Sequence, residues 1–143
     1  MKIGIKVSEA MTKDPVTISK EASLPSCARK MLSHNIGAMI IKEKEHLVGI
    51  ITEKDIVEAA VAKELNVKKT KVKDIMTTFM ITISPDADLS EAVGIMIREN
   101  VRRLPVVKEN KLAGLLTVTD VLNEQPKLFE KLYDCFIGKK VRK

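Results

Sequence analysis

The chain has 143 residues, 45% of them apolar, 31% charged and only 3% aromatic, with a formal charge of +6 and two cysteines. That length suits one compact unit or two small ones sharing an aliphatic core. Its apolar runs fall short of the ~20 residues of a membrane span, no secretory leader is evident at the start, and Cys27 and Cys135 belong to no CxxC or Cys/His cluster that would suggest zinc. A cytoplasmic protein without a membrane span or a metal is the expectation.

In chain order, Val16-Thr17-Ile18 reads as a short alternating strand. Ser23 then starts a helix with Pro25 in its first turn, where a missing N–H does no harm. Leu24, Cys27, Ala28, Met31 and Leu32 fall on one face of it at helical spacing. Two apolar strands follow, Ala38–Ile41 and Leu47–Ile51, joined by the polar turn 42–45. Their unbroken apolar character suggests cover on both faces. A helix after Thr52 carries Ile56, Val57, Ala60 and Val61.

A connector over 62–73 holds a net charge of +4. The series then begins again. Ile81-Thr82-Ile83 is a strand, and Asp88-x-x-Glu91 has the pattern of a capping box. Leu89, Val93, Met96 and Ile97 form the next helical face, and strands at Leu104–Val107 and Leu112–Leu116 lead to a helix after Thr117. From Pro126 onward, Leu128, Phe129, Leu132, Tyr133, Phe136 and Ile137 describe an extra amphipathic helix that packs on the body or on a second subunit. It runs into a basic tail, and residues 127–143 again carry +4. The remainder of the chain is not basic.

A shift of 65 residues aligns the chain with itself without a gap. Val7 meets Val72, Met11-Thr12 meets Met76-Thr77, Asn35 meets Asn100, and Gly49 meets Gly114. A match held in register over ~50 positions marks a duplicated supersecondary unit. The expected fold is α+β: two β-α-β-β-α repeats packed face to face with pseudo-twofold symmetry, making two equivalent clefts. The expected domains are residues 7–63 and 72–125, followed by the C-terminal helix and tail over 126–143.

The chemistry-bearing motif also occurs twice, as Gly-h-h-Thr-x-x-Asp at 49–55 and 114–120, where h is an aliphatic residue. A Thr ending a strand with an acid three residues on is a helix cap. The same hydroxyl and carboxylate can also grip a vicinal diol such as that of ribose, because a carboxylate only accepts hydrogen bonds. The adjoining helix N-terminus favours a phosphate. The two readings are compatible. Phosphate loops, dinucleotide fingerprints and HExxH are absent. The two histidines, His34 and His46, sit near a helix end and in a polar turn, outside any catalytic or metal-binding motif. Intrinsic catalysis is therefore not expected.

Two units of this length, each with a Met-Thr lead-in and Gly-h-h-Thr-x-x-Asp, and the second with Asn100-Val101-Arg102-Arg103-Leu104-Pro105-Val106-Val107, closely resemble a cystathionine-β-synthase-type (CBS) domain pair over roughly residues 7–125. The resemblance implies a stand-alone regulatory module that binds AMP, ADP, ATP or S-adenosylmethionine in the clefts between repeats, forms a homodimer, and modulates that dimer or a partner protein. By the family pattern, one cleft holds Thr117 and Asp120 on ribose and Arg102 on phosphate, with its base pocket from Pro15, Gly37, Ala38 and Met39. The other holds Thr52 and Asp55, with Lys54 beside them and a base pocket from Met80, Arg103 and Leu104. The chain departs from the pattern where repeat 1 has Gly37-Ala38-Met39-Ile40 in place of Arg102-Arg103-Leu104-Pro105. The Thr117–Asp120 cleft is accordingly expected to be the better nucleotide site, its small Gly37 and Ala38 leaving room for a purine. Binding is expected not to need the residues after Pro126. The alternative reading is a nucleic-acid-associated protein acting through the basic connector and tail.

Overall fold

The duplicated sequence builds duplicated elements. The computed structural model describes residues 2–138. In its first half α1 is Val7–Ala10, β1 Thr17–Ile18, α2 Leu24–His34, β2 Ala38–Glu43, β3 His46–Thr52 and α3 Glu53–Val57, which runs on as a π-helical turn over Glu58–Ala62. In its second half α4 is Val72–Ile75, α5 Leu89–Glu99, β4 Arg103–Lys108, β5 Lys111–Thr117 and α6 Val118–Glu124. Helix α7, Pro126–Tyr133, follows and continues as a π-helical turn over Asp134–Gly138. The architecture is α+β.

Local chemistry accounts for most of these limits. Ser23 caps α2 by accepting from the Ser26 amide at 3.2 Å. Helices α2 and α5 both end on a left-handed asparagine, Asn35 at φ 52° and Asn100 at φ 54°. The antiparallel pairs β2–β3 and β4–β5 carry the same register shift, at Ile41/Lys42 and at Val106/Val107.

Two local expectations fail for identifiable reasons. Asp88 does not form the reciprocal box with Glu91. Its carboxylate accepts instead from the Ser90 amide at 3.0 Å and the Ser90 hydroxyl, and from the Ile3 and Gly4 amides at 3.2 and 2.9 Å. The second strand, Ile81–Ile83, shrinks to one parallel bridge between Ile83 and Val106, whereas β1 pairs with Ile40 and Ile41 of β2. In the first half the Ile40 amide donates to the Val16 carbonyl. Its counterpart is Pro105, which has no N–H to give.

The chain forms two compact units that cut across the repeats. One is Pro15–Met80; the other takes the residues up to Asp14 together with those from Ile81 onward. Each unit therefore holds the body of one repeat and the lead-in of the other. The Val7 and Ser8 amides donate to the Ala87 and Pro85 carbonyls at 2.9 and 3.0 Å, and Leu89 donates to Ile5 at 2.7 Å. Shifted by 65 residues, the same bonds recur: Val72 to Ala22 and Lys73 to Lys20, each at 2.9 Å, and Leu24 to Thr70 at 3.3 Å.

Each unit has an aliphatic core. In Pro15–Met80 it comprises Ile18, Leu24, Cys27, Met31, Met39, Ile41, Ile51, Ala59 and the exchanged Val72. Burial pushes the Cys27 thiol up to about 11. The second core is centred on Leu89, Val93, Met96, Leu104, Val106 and Leu116 with the exchanged Val7, and it is extended by Leu128, Leu132 and Phe136. The C-terminal helix thus packs on the body and belongs to a core. Several residues assigned to apolar faces lie outside these cores, and the most exposed are Leu32 at 81%, Val61 at 71% and Val57 at 58%. The π-helical turn holds Ala59 inward and leaves Val57 and Val61 outward. No described helix is long and apolar enough to cross a membrane.

Candidate ligand-binding site

The two Thr-x-x-Asp segments adopt one geometry. Thr52 Oγ1 accepts from the Asp55 amide at 3.2 Å, and Asp55 Oδ2 accepts from the Thr52 amide at 2.9 Å. Thr117 and Asp120 repeat the pair at 3.2 and 2.9 Å. The capping box is therefore real in both copies, and it holds each carboxylate half-buried at the end of a strand.

The glycine that opens each motif is there for space. The exchanged lead-in lies directly on it: Thr12 and Leu115 trade backbone hydrogen bonds at 2.9 and 3.1 Å, and Thr77 and Ile50 at 2.9 and 3.0 Å. A Cβ on Gly114 would lie 2.7 Å from the Thr12 carbonyl oxygen and 2.8 Å from Met11 Sδ. A Cβ on Gly49 would lie 2.9 Å from Met76 Sδ and 3.0 Å from the Thr77 carbonyl oxygen. This approach brings in a residue that the motif alone did not suggest. Thr12 donates its hydroxyl to Asp120, 3.1 Å from Oδ1 and 3.3 Å from Oδ2. The signal for it lay in the repeated Met-Thr dipeptide, which carries no chemistry until the exchange is known.

Strand register places the differing residues beside the motif. Ala38 is opposite Thr52, and Arg103 is opposite Thr117. The Glu53 amide donates to the Gly37 carbonyl at 2.9 Å and the Val118 amide to the Arg102 carbonyl at 3.2 Å. Within its own unit, then, Gly37-Ala38 adjoins Thr52 and Asp55, while Arg102-Arg103 adjoins Thr117 and Asp120. The Glu53 carboxylate occupies the space beside Gly37, its Oε1 3.1 Å from where a Cβ would stand. Lys54 is exposed; Pro15 and Met80 are half-buried at the two chain limits of the Pro15–Met80 unit.

Alternation along the strands corrects one part of the sequence argument. Met39 and Leu104 are fully buried in the cores of their own units, so the bulk of Leu104 points into packing. Neither can offer more than its backbone to a ligand. At these strand starts the difference between the copies lies in Gly37 and Ala38 against Arg102 and Arg103.

Arg102 is exposed, and its guanidinium carbon lies 5.2 Å from the centroid of the Phe136 ring. Sequence patterning gave no hint of this contact, since Phe136 lies outside the repeat. Among the described residues no cluster of His, Cys, Asp and Glu could hold a metal. His34 is exposed, with Nδ1 3.0 Å from the Lys30 carbonyl.

The basic connector is partly neutralised. Lys71 and Lys73 grip Glu21 at 2.9 and 3.0 Å, and Lys63 pairs with Glu58 at 3.3 Å. Hydrogen bonds from Lys71 and Lys73 hold the Glu21 carboxyl down at about 2. The basic tail residues Lys139, Lys140, Arg142 and Lys143 lie outside the described residues.

The CBS domain family model matches residues 7–62 and 72–127. Protein MK0525 of Methanopyrus kandleri is 37% identical over 127 residues, an alignment covering 87% of this chain and 65% of that protein; the chain thus spans just under two thirds of that relative's length. The CBS domain-containing protein YhcV of Bacillus subtilis is 30% identical over 119 residues, covering 83% of this chain and 84% of YhcV. Among solved structures, the CBS domain pair of protein MJ0100, in complex with 5′-methylthioadenosine and S-adenosyl-L-methionine, is 29% identical with a TM-score of 0.73, covering 83% of this chain and 98% of that one. With both repeats matched and the Gly-h-h-Thr-x-x-Asp frame built twice, the chain belongs to the CBS domain family, as a tandem pair.

Proposed function

We propose that this chain is a regulatory module that binds an adenosyl ligand, namely AMP, ADP, ATP or S-adenosylmethionine, and through it modulates its own dimer or a partner protein. The observation that carries the reading is the Thr–Asp frame. Each copy holds a half-buried, acceptor-only carboxylate in a fixed orientation, and such a group matches the two donors of a ribose diol. The ligands of the MJ0100 domain pair, both adenosyl compounds, support the same chemistry.

Of the two sets, Thr117, Asp120 and Arg102 form the stronger candidate, with ribose on the first two and phosphate on the guanidinium. The base contacts, assigned on the family pattern alone, are Pro15, Gly37, Ala38 and Met39. The weaker set is Thr52, Asp55 and Lys54, with Met80, Arg103 and Leu104. Regulation follows if the ligand's affinity differs between two states of the module or of its partner. No catalytic role is assigned.

The module is also proposed to pair with a second copy, because Leu32, Val57 and Val61 leave apolar surface on helices exposed. Sedimentation at micromolar concentration showing only the 15.9 kDa monomer would refute this.

The test is a thermal-shift screen with AMP, ADP, ATP, GTP, NAD and S-adenosylmethionine. A true ligand at ~100 times its Kd adds about 2.7 kcal/mol of stability. No shift with any adenosyl compound, together with oligonucleotide binding that weakens steeply with salt, would replace this reading with nucleic-acid association.

A further inference from the structure

Arg102 stands in the short loop between α5 and β4, exposed, next to the start of the strand that ends at Thr117. A long side chain in that position loses rotamer freedom when it binds an anion. Its guanidinium, however, already lies over an aromatic ring, 5.2 Å from the Phe136 centroid and within cation–π range. Phe136 is itself only 8% exposed and packs in one core with Leu128 and Leu132, so the ring is a fixed platform. Stacking of this kind engages the flat face of a guanidinium. Among the described residues no hydrogen bond or ion pair occupies its N–H edge. Stacking on a ring and forked binding of an anion employ different parts of the group and are compatible. The first repeat has no counterpart: Gly37 replaces Arg102, and 65 residues before Phe136 stands Lys71.

We propose that Phe136 is a positioning residue for anion recognition: it holds Arg102 by its face, so that the guanidinium edge is presented to the phosphate of a nucleotide. The C-terminal turn thereby becomes part of the module's discrimination between phosphorylated and unphosphorylated ligands. This replaces the expectation that residues after Pro126 are dispensable for binding, and it rests on the adenosyl-ligand reading above.

The test is calorimetry with adenosine, AMP and ATP on the wild-type chain and on Phe136→Leu, which keeps an apolar side chain but removes the ring face. Phe136→Leu is expected to lose about two- to thirtyfold in ATP affinity while adenosine affinity is unchanged. Phe136→Tyr should restore ATP binding. Arg102→Gln should lower ATP affinity as well, and adding Phe136→Leu to it should cost little more, because both changes remove one interaction. Equal losses for adenosine and ATP, or additive losses in the double variant, would overturn the positioning role and leave the adenosyl reading standing. If Phe136→Leu does not fold, Phe136→Tyr decides alone: it must keep the ATP-to-adenosine preference of the wild type, and loss of that preference overturns the proposal. A wild-type chain that binds none of the three overturns the adenosyl reading itself, and the role of Phe136 with it.

Discussion

The two copies of the motif share a backbone and differ in what stands beside it. Thr52–Asp55 and Thr117–Asp120 have the same reciprocal bonds, the same glycine under a crossing chain and the same strand register. Yet one adjoins Gly37 and Ala38 and the other Arg102 and Arg103. Only the second carboxylate also receives the described Thr12 hydroxyl bond, and only the second unit carries the C-terminal helix in its core. Duplication preserved the parts that hold the chain in place. Divergence worked beside the motif, where Arg102 is exposed and Arg103 half-buried, so that their charges cost the fold little. The copies have one scaffold and two chemistries.

The largest effect that would break this comparison is on ligand affinity. Asp120→Ala is expected to weaken the tighter phase of AMP or ATP binding ten- to a hundredfold, or about 1.5–3 kcal/mol, while Asp55→Ala leaves that phase nearly intact. Greater damage from Asp55→Ala in calorimetry would reverse the ranking of the two sites.

Next come the glycines, which test whether the scaffold is as symmetric as it looks. Gly49→Ala and Gly114→Ala should each destabilise the chain by ~1–3 kcal/mol through overpacking. Gly114→Ala should be the worse, since its new Cβ would meet a backbone oxygen at 2.7 Å, while Gly49 first meets the flexible Met76 thioether at 2.9 Å. Denaturant midpoints of the two variants measure the difference.

Acid should loosen both exchanged lead-ins. The Asp88 carboxyl is held down at about 2, first by the Ser90 hydroxyl and then by the Ser90, Ile3 and Gly4 amides. Glu21 is held at about 2 by Lys71 and Lys73. Both carboxyls titrate near 4 in an unfolded chain. Their contribution is therefore present above pH ~4 and fades as pH falls toward 2. Denaturation midpoints measured from pH 5 down to 2 should decline less steeply in Asp88→Asn and Glu21→Gln than in the wild type. The smallest effect belongs to Thr12→Val, which removes one exposed bond to Asp120 and should cost less than ~1 kcal/mol in thermal unfolding.

The repeat, the helix starts and the Thr–Asp frame were legible because they rest on residue types with narrow conformational roles: Ser23 and Asp88 as caps, Thr before Asp. The shortening of the second strand was not foreseen, although Pro105, which has no N–H to donate, carried the signal for it. Helical spacing misassigned Leu32, Val57 and Val61, since periodicity marks an apolar face without saying whether it is covered. The exchange of lead-ins left no trace, because Val7, Ser8, Val72 and Lys73 dock through backbone amides that every residue but proline has. Of the candidate site, Thr117, Asp120 and Arg102 were named from the motif and the family pattern. Thr12 and Phe136 were missed for one reason: each reaches the site from a part of the chain outside its repeat.

The reciprocal crossing has a consequence for cutting the molecule. A protease nick in the connector near Asn66 would yield two fragments, each holding one repeat with its own lead-in. Neither fragment could complete a unit alone, because the lead-in that covers Gly49 belongs to one piece and the lead-in that covers Gly114 to the other. The pieces would have to trade arms, as partners in a domain-swapped dimer do. The nicked protein should therefore stay together in native buffer, and the fragments, made separately, should be poorly folded apart and complement each other when mixed. A single repeat carrying the same arm would meet the same requirement by pairing with its own copy, which makes a swapped two-chain assembly a natural antecedent of the fused tandem.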